Sequence, residues 1–255
     1  MGQSSPLAEK LGEVRHRIAT AAAKARRDPT EVTLIAVTKY AAQEQIREIL
    51  QLGIGDLGES RVQNLIARAP QINEFHSRLL QHGEGAAPKL RWHMIGTVQR
   101  NKVKQLLPIV ACIHSIDSLR LAEEIETQAI KMDRRVAVML QVNASEESQK
   151  HGVAVGAAVH LAEQMASMPN LQLVGLMSMA ALEADESVIR HTFVRTREIF
   201  DEIRWNKIGG PSFKHLSMGM SQDYEIAVEE GATMVRIGTA LFGEPSEAQK
   251  NEADK

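Results

Sequence analysis

The chain has 255 residues, 44% of them hydrophobic and 24% charged, a supply of apolar side chains that fills a large core and excludes a mainly disordered protein. Thirty Lys and Arg residues against thirty-two Asp and Glu leave a formal charge of -2, so no net field concentrates nucleic acid or anionic lipid and a small-molecule partner is favoured. No apolar run approaches the ~20 residues of a membrane span, the start MGQSSP lacks the regions of a signal peptide, and the lone Cys112 in its apolar setting forms no internal disulfide. The expectation is a cytoplasmic protein with neither a membrane nor a nucleic-acid partner.

Ser5 and Pro6 cap and start a helix whose face carries Leu7, Leu11, Val14, Ile18 and Ala22, up to a stop at Asp28-Pro29. The basic cluster Lys24, Arg26, Arg27 falls at the end of this helix, where cations complement the helix dipole. Short apolar runs then alternate with amphipathic stretches. The strands predicted are 32–38, 55–58, 91–95, 110–116, 136–142, 171–177, 213–217 and 233–238. Between them, helical patterns over 44–52, 118–131, 155–168 and 187–204 supply the crossovers that a parallel sheet needs. Eight βα units predict a single (β/α)8 TIM barrel over residues 31–243, an α/β fold preceded by an N-terminal helix within 1–30; counting alone leaves a doubly wound sheet open. The stretch 81–89 reads as a loop, and 244–255 as a loose charged tail.

Reactive groups in such a barrel sit where strands end. Lys39 follows Leu34-Ile35-Ala36-Val37-Thr38, so its amine stands at the mouth of an apolar strand, suited to attack an aldehyde if partly withdrawn from water. Position alone favours a surface lysine that snorkels outward. A second cluster, Leu216-Ser217-Met218-Gly219-Met220-Ser221, leads from strand seven into a helix beginning near Ser221-Gln222-Asp223. A third, Met234-Val235-Arg236-Ile237-Gly238-Thr239, ends strand eight. Each alone is compatible with an ordinary turn or cap, but loops after strands seven and eight form the usual phosphate site of this fold, and the two clusters converge there. His93 and Asn143 are further candidates for the mouth, with a buried hydrogen-bonded histidine and a capping asparagine as the alternatives. No metal-ligand spacing appears among the nine histidines, so no metal is assigned.

Eight separated blocks resemble the pyridoxal phosphate homeostasis family, which shares the barrel of fold-type III pyridoxal 5′-phosphate (PLP) enzymes and of the alanine racemase N-terminal domain. Besides the Lys39 block and the two phosphate clusters, the match includes Gly58-Glu59, Val62-Gln63, Trp92-His93-Met94-Ile95-Gly96, Gln99 with Asn101-Lys102, and Gly175-Leu176-Met177, and it extends to Gly243. The resemblance implies that PLP is the cofactor, held as a Schiff base on Lys39. It further implies that Ser217, Gly219, Ser221, Gly238 and Thr239 surround the phosphate and that Arg236 faces the pyridine nitrogen. Relatives commonly read Gly-Glu-Asn where this chain has Gly58-Glu59-Ser60, which leaves the role of Ser60 open.

The family resemblance implies a protein that stores, buffers or delivers PLP, with PLP-dependent apoenzymes as candidate partners. A PLP-dependent amino-acid racemase and a Schiff-base aldolase are the alternatives. Arg236 argues against strong catalysis, because a cation opposite the pyridine nitrogen disfavours its protonation and weakens the electron sink. Racemases of this fold type draw a second acid/base group from a following β-domain, for which the residues after Gly243 leave no room. The expectation is therefore a binding protein with weak or no turnover.

Overall fold

Eight short parallel strands close on themselves in the computed structural model, which describes residues 5–82, 87–145, 151–181 and 184–247. They are β1 (Thr33–Val37), β2 (Asp56–Glu59), β3 (Arg91–Met94), β4 (Val110–Ile116), β5 (Val136–Asn143), β7 (Leu171–Met177), β8 (His215–Ser217) and β9 (Met234–Ile237). The sheet runs β4-β3-β2-β1-β9-β8-β7-β5, and pairing of β4 with β5 closes the ring. Closure removes every edge, as the (β/α)8 barrel requires.

A two-residue strand, β6 (Val153–Ala154), pairs with the end of β5 outside this ring and was not predicted. Gly152 permits it: its φ is +127°, and a Cβ there would lie 2.7 Å from the Asn143 amide nitrogen. Four strands, β1, β3, β8 and β9, are shorter than the runs predicted for them. β8 begins only at His215 because the 3₁₀ turn Gly210–Ser212, containing Pro211, occupies the chain just before Phe213.

Outside the strands pack α2 (Gln43–Gln51), α3 (Val62–His82), α4 (Val103–Leu106), α5 (Leu119–Lys131), α6 (Val155–Ala166), α7 (Glu186–Trp205), α8 (Tyr224–Glu229) and α9 (Thr239–Phe242). The predicted crossover helices appear within two residues of their expected ends. α3 is absent from the expectations because Pro70 lies inside it, although Leu65, Ala69 and Ile72 recur on one buried face and hold the 21-residue helix against the barrel. It also occupies positions 81 and 82, where a loop was expected; residues 83–86 lie outside the described residues, as does the tail from 248 onward.

α1 (Pro6–Lys24) starts as predicted, with the Ser5 hydroxyl accepting from the Ala8 amide at 3.1 Å, and its apolar face Leu7, Leu11, Val14, Ile18 and Ala22 is buried. It packs against α8 and α9. The basic cluster at its end is engaged within the fold: Lys24 pairs with Glu229 at 3.1 Å, and Arg27 donates to the carbonyls of Val228 and Ala232 at 2.9 and 3.0 Å.

Alternation along the strands divides two cores. Leu34, Ala36, Leu57, Ile113, Leu140, Leu176, Leu216 and Val235 belong to the layer between strands and helices. Ile35, Cys112, Met139, Val174, Met177 and Met234 form a separate cluster inside the ring. Two residues further along three of these strands, polar groups take the same side: His114 after Cys112, Gln141 after Met139 and Arg236 after Met234. The interior thus turns from apolar to polar toward the strands' C-terminal ends.

Candidate functional site at the barrel mouth

Lys39 is fixed by what precedes it. Thr38 is fully buried, its amide donates to the Gly58 carbonyl at 2.9 Å, and its hydroxyl donates to Glu59 Oε1 at 2.9 Å. Arg68 of α3 donates to the same carboxylate oxygen at 2.8 Å and to the Thr38 carbonyl. Burial pushes the Glu59 carboxyl above its ordinary range, against the opposing pull of Arg68 and of the Thr38 hydrogen bond. β1 and β2 are thus tied together at the point where the Lys39 side chain leaves the strand. The Lys39 ammonium lies 4.7 Å from the Tyr40 ring centre and has no carboxylate within ion-pair distance among the described residues.

Arg236 is the second cation. It is 3% exposed, and burial lowers its guanidinium to about 10, so it stays charged at neutral pH. One terminal nitrogen donates to Ser217 Oγ at 2.7 Å and the other to the Ser178 carbonyl at 2.9 Å. It forms no ion pair among the described residues. A buried cation without an ion pair is expensive; the charge of buried Asp223 offsets part of that cost, and both residues border one cavity.

That cavity, of about 600 Å³, is lined by Lys39, Ser60, Gln141, Ser221, Arg236 and Thr239, among others. Gly238 also borders it. Ser221 Oγ accepts from the amides of Gly238 and Ala240 at 3.1 and 3.2 Å, so the hydroxyl joins the loop after β8 to the start of α9. Hydroxyls, backbone amides and a glycine meet here at one end of a cavity whose other members include Lys39 and Arg236. These donors suit a phosphate, the unpaired guanidinium suits a ring nitrogen or other acceptor, and the lysine suits an aldehyde.

The structure brings together Lys39, Ser60, Ser221, Arg236, Gly238 and Thr239 and leaves four expected residues elsewhere. Ser217 is completely buried below the cavity, where its hydroxyl is committed to Arg236 and to His114 Nδ1 at 2.9 Å rather than offered to a ligand. Gly219, with φ +88°, is required by packing: a Cβ there would lie 2.6 Å from the Ala227 Cβ and 2.8 Å from the Tyr224 Cα. His93 is the buried, hydrogen-bonded histidine of the two readings, with Nε2 2.9 Å from Asp56 and Nδ1 2.9 Å from His114. Asn143 stands at the end of β5 beside β6, where its Oδ1 accepts from the Ser145 hydroxyl at 3.1 Å.

Gln141 was not anticipated, although it is the one polar side chain inside the run 136–142 and that is a readable signal. Its side-chain nitrogen donates to the His151 carbonyl at 3.1 Å. His114 interrupts the apolar run 110–116 in the same way. Without the neighbouring strands neither could be aimed.

The barrel and this cavity define a class, and sequence comparison agrees with it: the family model described as "Alanine racemase, N-terminal domain" matches residues 10–246. The chain belongs to that family and, within it, groups with proteins named pyridoxal phosphate homeostasis protein. The Aquifex aeolicus protein of that name is 36% identical over 236 residues, which cover 92% of this chain and 97% of that one. Among solved structures, a protein of unknown function from Bifidobacterium adolescentis superposes with a TM-score of 0.85 at 35% identity, over 92% of this chain and 94% of its own. PipY of Synechococcus elongatus PCC7942, solved with PLP bound, gives a TM-score of 0.74 at 30% identity, over 90% of this chain and 100% of that chain.

Proposed function

We propose that this protein binds PLP through a covalent link to Lys39 and serves PLP homeostasis by storing, buffering or delivering it. The observation that carries the reading is the convergence of two cations without ion-pair partners, Lys39 and Arg236, with the Ser221, Gly238 and Thr239 group in one cavity. The names of the relatives and the PLP seen in PipY support it.

When bound, PLP offers an aldehyde to an amine and an electron-withdrawing ring. This chain's residues divide the work of holding it. Thr38, Glu59 and Arg68 fix the backbone from which Lys39 reaches the aldehyde. The hydroxyls of Ser221 and Thr239 hold the phosphate, the first oriented by the Gly238 and Ala240 amides that donate to its oxygen. Arg236, charged and anchored at both terminal nitrogens, faces the ring nitrogen and withholds a proton from it. An unprotonated ring stabilises a carbanion poorly, so binding is retained while turnover of amino acids is slow or absent. The reading also places the protein in the cytoplasm with PLP-dependent apoenzymes as recipients; no helix among the described residues is long and apolar enough to cross a membrane.

Incubation of the pure protein with single-enantiomer amino acids in deuterated water tests the carrier reading. Negligible α-deuterium incorporation and racemisation are expected, and rapid exchange abolished by Lys39→Ala would instead establish a racemase.

A further inference from the structure

Beneath the cavity, a continuous line of polar side chains crosses the barrel interior. Asp56, at the start of β2, is held by Arg91 through two hydrogen bonds of 2.6 Å and lies 2.9 Å from His93 Nε2. His93 Nδ1 lies 2.9 Å from His114 Nε2, His114 Nδ1 lies 2.9 Å from Ser217 Oγ, and Arg236 donates to that hydroxyl at 2.7 Å. His93, His114, Ser217 and Arg236 are each at most 3% exposed.

With both imidazoles neutral, the two ends set the direction of every bond. A guanidinium only donates, and an ionised carboxylate only accepts. Ser217 therefore receives from Arg236 and passes its own proton to His114 Nδ1; His114 donates from Nε2 to His93 Nδ1; His93 donates from Nε2 to Asp56. This order gives Asp56, His93, His114 and Ser217 a partner for each of their polar side-chain atoms. Burial first, and then the neighbouring His93, Arg236 and His215, hold His114 well below its ordinary range. For Asp56, burial is outweighed by the hydrogen bonds of His93 and Arg91 and by the Arg91 charge, which keep the carboxyl below its usual value.

We propose that Asp56, His93, His114 and Ser217 form a one-directional hydrogen-bond relay that positions Arg236 from below and locks both imidazoles in the Nε2–H tautomer, so that no mobile proton reaches the ring-nitrogen end of the cavity. The proposal rests on the PLP reading for the identity of the ligand but not for the relay itself. Residues 93, 114 and 217 act through Arg236 and are positioning residues. The nearest competing arrangement is a metal centre, because ligand atoms of His93, Cys112 and His114 all lie within 4.8 Å of one another. It conflicts with the His93–His114 hydrogen bond, which uses nitrogens that a metal would need, and with burial of the Cys112 thiol, pushed up to about 12.

Long-range ¹H–¹⁵N spectra of the imidazole side chains, recorded on the full-length ligand-free protein at neutral pH, test the relay directly. Both His93 and His114 are expected as neutral Nε2–H tautomers. Ser217→Ala should remove the donor at His114 Nδ1 and shift the His114 signals, weaken PLP binding roughly tenfold through the lost charge-assisted bond, and be rescued by Ser217→Thr. A proton on His114 Nδ1 in the wild type would overturn the proposal. So would stoichiometric zinc or copper in the purified protein that is lost on Cys112→Ser. The tautomer signals and the metal content are read without PLP, so failure of the relay and failure of the PLP reading are separable.

Discussion

Thr38 and Glu59 are joined by a hydrogen bond of 2.9 Å between two fully buried side chains, one residue before Lys39. The bond sets where the lysine leaves the barrel, and the carboxylate's charge is balanced by Arg68 at 2.8 Å. Arg68→Ala leaves a buried carboxylate with a hydroxyl and an amide as its described partners, and we expect a loss of about 2 to 3 kcal/mol in urea unfolding. Glu59→Gln in the same background should recover part of that loss, because the charge is removed with little change in shape. Recovery is absent if Arg68 matters only through its packing.

How much of this was legible beforehand follows from what each residue depends on. Lys39, Ser221, Arg236, Gly238 and Thr239 stand at strand ends, so chain order and barrel topology suffice to bring them to one mouth. Ser217 and Gly219 lie in the same segment as Ser221 yet serve the interior and the α8 packing, because alternation in β8 and a positive φ at Gly219 turn them away from the cavity. The interior line from Asp56 to Arg236 joins β2, β3, β4, β8 and β9, and no local pattern encodes such a juxtaposition. α3 stayed hidden for a different reason, since its stability comes from packing that overrides Pro70.

Phosphate recognition is separable from the covalent link. In Ser221→Ala combined with Thr239→Ala, affinity for PLP should fall about tenfold or more while affinity for pyridoxal, which lacks the phosphate, changes little. Equal losses for the two ligands, measured by absorbance titration, would move the phosphate elsewhere in the cavity.

Gly96 marks the closest backbone approach beside the site. A Cβ at this position would lie 2.0 Å from the Ser60 carbonyl oxygen, so β2 and β3 would have to separate at their C-terminal ends. Gly96→Ala is expected to cost about 1 to 3 kcal/mol and to lower Tm accordingly. An unchanged Tm would show that these strand ends shift freely.

Acid should destabilise the fold well before the carboxylates titrate. Burial, followed by neighbouring positive charge, depresses both His114 and His215 below their ordinary value in the folded state. The unfolded chain therefore binds more protons just below pH ~6.5, and stability that is complete above that pH is lost as it falls toward the depressed folded-state values, by up to about 1.4 kcal/mol per pH unit for buried His114 and by less for half-buried, solvent-screened His215. Urea midpoints between pH 7.5 and 5.5 should show this decline, with a shallower slope in His215→Asn. Equal slopes for wild type and variant would assign the decline to other groups.

The central claim is the attachment of PLP to Lys39. Borohydride reduction of the PLP-loaded protein, followed by digestion and mass mapping, should place the whole pyridoxyl label on the peptide containing Lys39, and Lys39→Ala should yield none while keeping its fold. A label recovered on a different lysine, or an undiminished label in Lys39→Ala, would contradict the account.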